Sequence, residues 1–100
     1  MTAAPVIGVH LATERGRRVL QVTLDVDQRV AAVVGLRRHK RGLTRERTVG
    51  LGPGRHNLDL PLRRLAGRGP AELTVALADP VGKARTVQRV DISLRPTPAT

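Results

Sequence analysis

Asp25 and Asp27 stand two residues apart, so on an extended strand their carboxylates share a face, as a general acid and its partner base would require. Acid catalysis or calcium binding would need further oxygen ligands close by, and only Gln28 lies next to them, so the pair reads as the solvated end of a strand. His10, His39 and His56 are too far apart to form a local metal motif. Ser93, the only serine, lies in a strand pattern with no Gly-x-Ser-x-Gly turn to present its hydroxyl as a nucleophile. Gly50-Leu-Gly-Pro-Gly54 looks like a phosphate loop, but it lacks the Gly-Lys-Ser/Thr ending and a helix start to receive the phosphate, so it is read as a turn. These residues assign no catalytic centre, no metal and no cofactor, and the chain is expected to be neither an enzyme nor a binder of a small-molecule substrate.

Basic residues are the chemistry that remains. The 18 lysines and arginines face 8 acidic residues, a formal net charge of +10, and all but two of the basic residues are arginine. An Arg-rich, Lys-poor, Ala- and Val-rich composition also follows from a GC-rich coding sequence, and the two explanations are compatible. Arg37, Arg38, Lys40 and Arg41, with His39 among them, crowd one segment, and Arg45 and Arg47 extend the charge along the strand after it. Arg15, Arg17 and Arg18 make a second group, and Arg63, Arg64 and Arg68 a third. The expected polyanion or partner contact is therefore Arg37, Arg38, Lys40, Arg41, Arg45 and Arg47, facing an acidic polymer, a nucleic acid or an acidic protein neighbour. The absence of Phe, Trp and Tyr removes the usual stacking surface for sugars and unpaired bases. No helix-turn-helix, zinc-finger or RNP-type aromatic pattern is present either.

The elements that must position these side chains are strands. Leu20-Val22-Leu24-Val26, Val30-Ala32-Val34-Leu36, Leu73-Val75-Leu77 and Val90-Ile92-Leu94 each put an aliphatic residue at every second position, the period of a strand with one buried face. Seven strands are predicted: 6–11, 18–26, 30–36, 43–51, 55–60, 71–78 and 85–94. Glu14-Arg15-Gly16, Asp27-Gln28-Arg29, Gly52-Pro53-Gly54 and Asp79-Pro80-Val81-Gly82 supply turns between them. In the fourth strand Arg45 and Arg47 share parity with Leu43, Val49 and Leu51, so an edge strand or a bulge must turn the arginines outward. Pro61 ends the fifth strand, and Leu62 to Leu65 is read as one helical turn across an end of the fold. Evenly spaced strands with no helix of useful length make the chain all-β, an antiparallel sandwich of about seven strands. Residues 1–5 are read as a leader or linker, 6–95 as the domain and 96–100 as a tail.

With no cysteine, disulfides and thiolate metal sites are excluded, and the aliphatic core must hold the domain alone. No apolar run approaches the roughly 20 residues of a membrane span.

The runs from Val19 to Val26 and from Val30 to Arg37, the Gly52-Pro-Gly-Arg-His-Asn-Leu58 entry to the fifth strand, and Leu73 to Asp79 followed by Gly82 resemble the small immunoglobulin-like domains near fibronectin type III of bacterial secreted and surface proteins. Ala71, and Leu58 or Leu60, stand where such domains usually carry aromatic residues. The resemblance implies a non-catalytic structural or binding module of an extracellular assembly, whose partners are proteins or neighbouring domains. The alternatives are a stand-alone structural subunit of virion-decoration or sheath type with a basic contact face, and a nonspecific nucleic-acid or polyanion binder. The compartment follows the same division: secreted or surface-bound for a piece of an exported chain, cytoplasmic or virion-associated if Met1 is the true start.

Overall fold

Leu20, Leu24, Leu36, Leu73 and Val75 are all sealed from solvent, and they belong to two facing sheets that share one aliphatic core. The computed structural model of the chain describes residues 4–63, 67–81 and 85–94. They form eight antiparallel strands and no helix: β1 (Val6–Glu14), β2 (Arg17–Val26), β3 (Val30–Arg38), β4 (Arg41–Gly42), β5 (Arg47–Leu51), β6 (Gly54–Pro61), β7 (Gly69–Ala78) and β8 (Arg85–Leu94). One sheet runs β1-β2-β6. The other runs β4-β3-β7-β8, with β5 following β4 along the same edge of β3.

The alternating runs land on the inward face as their parity requires. In β2, β3 and β7 every aliphatic residue of the pattern is buried. In the edge strand β8 only Leu94 is buried, while Val90 and Ile92 pack half-exposed against the core. At one margin Val6 N–H donates to Gln88 Oε1 (2.9 Å) and ties β1 to β8 of the other sheet, while the carbonyl of the buried Pro5 accepts from Asp25 N–H (2.8 Å) and prolongs the β1–β2 pairing.

The predicted fourth strand is broken in two, and residues 43–46 leave the ladder. The parity conflict explains the break. Leu43 and Leu51 are buried, Val49 is half-buried, and both arginines are exposed, a combination that one unbroken strand cannot deliver. Thr44 makes the break tolerable: buried at 5% exposure, its Oγ1 accepts the Leu36 N–H (3.2 Å) where a β-strand carbonyl would otherwise sit. Thr44 also forms a single antiparallel backbone pairing with Leu62 of the opposite sheet's last segment. Leu62 is therefore paired rather than helical, Arg63 N–H is bonded to the Leu43 carbonyl (2.8 Å), and Arg64 and Leu65 of the predicted helical turn lie outside the described residues.

Two hairpin turns carry unusual backbone. Glu14 pairs with Arg17, leaving Arg15 (φ 51°) and Gly16 (φ 77°) as a two-residue turn with both central φ values positive. Arg38 pairs with Arg41 across His39 (φ 53°) and Lys40. At Gly52-Pro53-Gly54 the last glycine takes φ 116°, as the turn chemistry requires, and His56 Nε2 lies 2.6 Å from the Gly52 carbonyl oxygen. Asp79 Oδ1 accepts the Val81 N–H at 2.6 Å, which forms the turn after β7 as far as it is described.

Candidate functional site

Register places the basic groups at one end of the sandwich. Val19 of β2 pairs with Pro61 of β6, and Arg37 of β3 pairs with Glu72 of β7, so the start of β2, the end of β6, the end of β3 and the start of β7 meet there. The Thr44–Leu62 pairing and the bond from Arg63 N–H to the Leu43 carbonyl (2.8 Å) join the two sheets at this end, while Leu62 N–H to the Arg18 carbonyl (3.0 Å) extends the β2–β6 ladder.

The six residues predicted as one contact are distributed over two hollows and an ion pair. Arg38 is committed to structure: its Nε donates to the Pro70 carbonyl (2.9 Å) and its guanidinium also to that of Arg68 (3.2 Å), fastening the β3 end to the segment that enters β7. Arg37 pairs with Glu46 at 3.2 Å, both side chains more than half exposed. Lys40 and Arg41 sit at the β3–β4 hairpin tip, beside a shallow hollow of about 520 Å³ that they share with Arg38, His39 and Leu43. Arg45 and Arg47 face elsewhere, into a separate and larger groove.

That groove is an open hollow of about 1130 Å³ at the same end. The turn between β1 and β2 supplies Arg15, Arg17 and Arg18 to it. Segment 43–46 and the start of β5 supply Arg45, Glu46 and Arg47, and the end of β6 with its exit supplies Asp59 and Arg63. Leu60, Pro61 and Leu62 contribute the apolar lining. Arg47 donates to the Asp59 carbonyl oxygen (3.0 Å), a bond from β5 to β6 that fixes one wall, and Arg18 donates to the Gly67 carbonyl. Six arginines thus face two carboxylates, and Glu46 is already engaged by Arg37. Among the described residues, the side chains of Arg15, Arg17, Arg45 and Arg63 have no hydrogen-bond or ion-pair partner. Such an arrangement can hold anionic oxygens by charge-assisted, forked hydrogen bonds.

Sequence reading missed the groove because its arginines come from three distant stretches. It had grouped Arg15, Arg17 and Arg18, and separately Arg63, but only the pairing of β2 with β6 and the crossing of residues 43–46 to the opposite sheet bring those groups to Arg45 and Arg47. The other candidates stay apart. Asp25 and Asp27 are exposed at the far end of β2, where Val26 pairs with Gly54. Ser93 is exposed on β8 opposite Pro70, and no group of three His, Cys, Asp or Glu with metal-binding geometry occurs among the described residues. No helix among them is long and apolar enough to cross a membrane.

No protein-family model, curated protein or solved structure matches this chain.

Proposed function

We propose that the chain is a non-catalytic, immunoglobulin-like binding module that engages an anionic partner through the basic end of its sandwich. The observation that carries this reading is the gathering of charge by register: guanidinium groups from three separated stretches line one groove, while among the described residues the buried ones are aliphatic except for Pro5 and Thr44. The strand order supports the immunoglobulin-like part. With β1, β2, β3, β6, β7 and β8 matched to strands A, B, C, E, F and G, the strand between C and E joins C rather than E. This gives three strands facing five, with the short β4 and β5 together on the edge where fibronectin type III-like sandwiches carry one strand, instead of the four facing three of a constant-type immunoglobulin domain.

Modification of arginine by a dicarbonyl reagent, read by mass spectrometry with and without a polyanion such as heparin, tests the reading. Arg15, Arg17, Arg45 and Arg63 are expected to be protected, while Arg29, Arg55 and Arg85 at the far end stay reactive. Uniform protection, or none, would contradict an end-on binding surface.

A further inference from the structure

We infer that the groove between the Arg15-Gly16 turn and the β5–β6 wall is a seat for a single linear chain of tetrahedral oxyanions, a polyphosphate or a sulfated polysaccharide. This rests on the basic-end reading above and names the ligand class and the place where it binds.

Shape is the first argument. The site is a hollow of about 1130 Å³ with charged walls and an apolar lining of Leu60, Pro61 and Leu62, which accepts one flexible chain lying in it. A duplex, by contrast, is entered by a protruding helix or two-stranded ribbon, the shape of the β1–β2 and β3–β4 hairpin tips and not of a hollow. The second argument is chemistry. Arginine's planar fork grips two oxygens of one phosphate or sulfate, and arginines on opposing walls can grip successive groups of a polymer. The chain contains no Phe, Trp or Tyr on which an unpaired base could stack, and no histidine lines the groove, so a ligand whose charges need no base recognition is favoured over a single-stranded nucleic acid.

The backbone provides an independent pointer. Arg15 occupies the first central position of a two-residue turn at φ 51°, where asparagine, aspartate or glycine is favoured, and its side chain lines the groove. Strain of this kind collects at ligand sites, and His39 (φ 53°) carries it at the β3–β4 tip too, so it marks both basic hairpins while the size and arginine lining of the groove favour the groove.

The test compares inorganic polyphosphate, heparin and a short DNA duplex as ligands by fluorescence anisotropy across a salt series. It uses wild type, a groove variant (R17S/R45S/R63S), a far-end variant (R29S/R55S/R85S) with the same charge loss, and a tip variant (K40S/R41S). The groove variant is expected to lose on the order of 100-fold in affinity for polyphosphate or heparin, with the salt slope reduced by about 0.7 per contact removed. The far-end variant should lose only a few-fold. Binding of one of the two polymers and not the other identifies the source of the oxyanions and supports the assignment. A lysine triple, R17K/R45K/R63K, keeps the charge and the fold while removing the forks, and should lie between wild type and the serine variant. If the duplex binds tightest and the tip variant abolishes it, the groove assignment falls while the basic-end reading survives. Equal losses in the groove and far-end variants, or no binding even at low salt, overturn both.

Discussion

Replacing Thr44 by valine changes one oxygen to a methyl group at a site with 5% exposure, and leaves the Leu36 N–H without its acceptor. A buried donor left unpaired costs about 1–3 kcal/mol. The added methyl returns at most about 0.8 kcal/mol of apolar burial. The net loss is about 0.2–2 kcal/mol, which for a domain of this size lowers Tm by roughly 1–16 °C. Thr44→Ser keeps the oxygen and removes only a methyl group, so it should cost less than Thr44→Val. Thermal unfolding followed by far-UV circular dichroism, with concentration measured at the peptide bond because the chain has no aromatic residue, gives both values. The consequence extends to the groove, because residues 43–46 carry Arg45 and hold Arg63 through the Leu43 carbonyl. A Thr44→Val protein as stable as wild type, or a serine variant equally damaged, would refute the claim that this hydroxyl replaces a strand acceptor where the ladder breaks.

Further outcomes follow from the same geometry. Val75 is fully buried in mid-β7, so Val75→Asp places an unpaired carboxylate in the core and should unfold the domain, whereas Thr74→Asp on the outer face, opposite Arg89, should melt close to wild type; similar melting of the two would mean the register is wrong. Arg15→Asn should raise stability by up to about 1 kcal/mol by relaxing the residue at φ 51°, while weakening polyanion binding; a variant that gains neither stability nor a higher dissociation constant would remove the argument from backbone strain. Gly54→Ala should destabilise by about 1–2 kcal/mol in chemical denaturation, because its φ of 116° disfavours any side chain even though the space around it is open; an unchanged midpoint would contradict the turn assignment.

The strands were legible where parity and burial agreed. Leu20 to Val26, Val30 to Leu36 and Leu73 to Leu77 each present an uninterrupted inward face, and a period of two leaves them only one sensible orientation. Between Leu43 and Leu51 the sequence announced a conflict without its resolution: Arg45 and Arg47 could not share an inward face with Val49 and Leu51. How the chain escapes depends on a tertiary partner, Leu62 in the opposite sheet, which no local pattern names. The candidate site was legible in kind but not in place. A contiguous run such as Arg37 to Arg41 dominates a linear reading, yet Arg37 and Arg38 are drawn into contacts with Glu46 and with the Arg68 and Pro70 carbonyls. The wider concentration of arginine arises from strand pairing across more than forty residues.

The location of the binding site is tested most directly by an amide chemical-shift titration of the isotopically labelled chain with tripolyphosphate, a short probe with three linked phosphates. The account predicts the largest shifts at Gly16, Arg17, Arg45 to Arg47 and Asp59 to Arg63 excluding Pro61, with small ones at Lys40 and Arg41 and none at Asp27, Arg55 or Asp79. Shifts centred on the hairpin tip, or spread evenly over both ends of the sandwich, would contradict it.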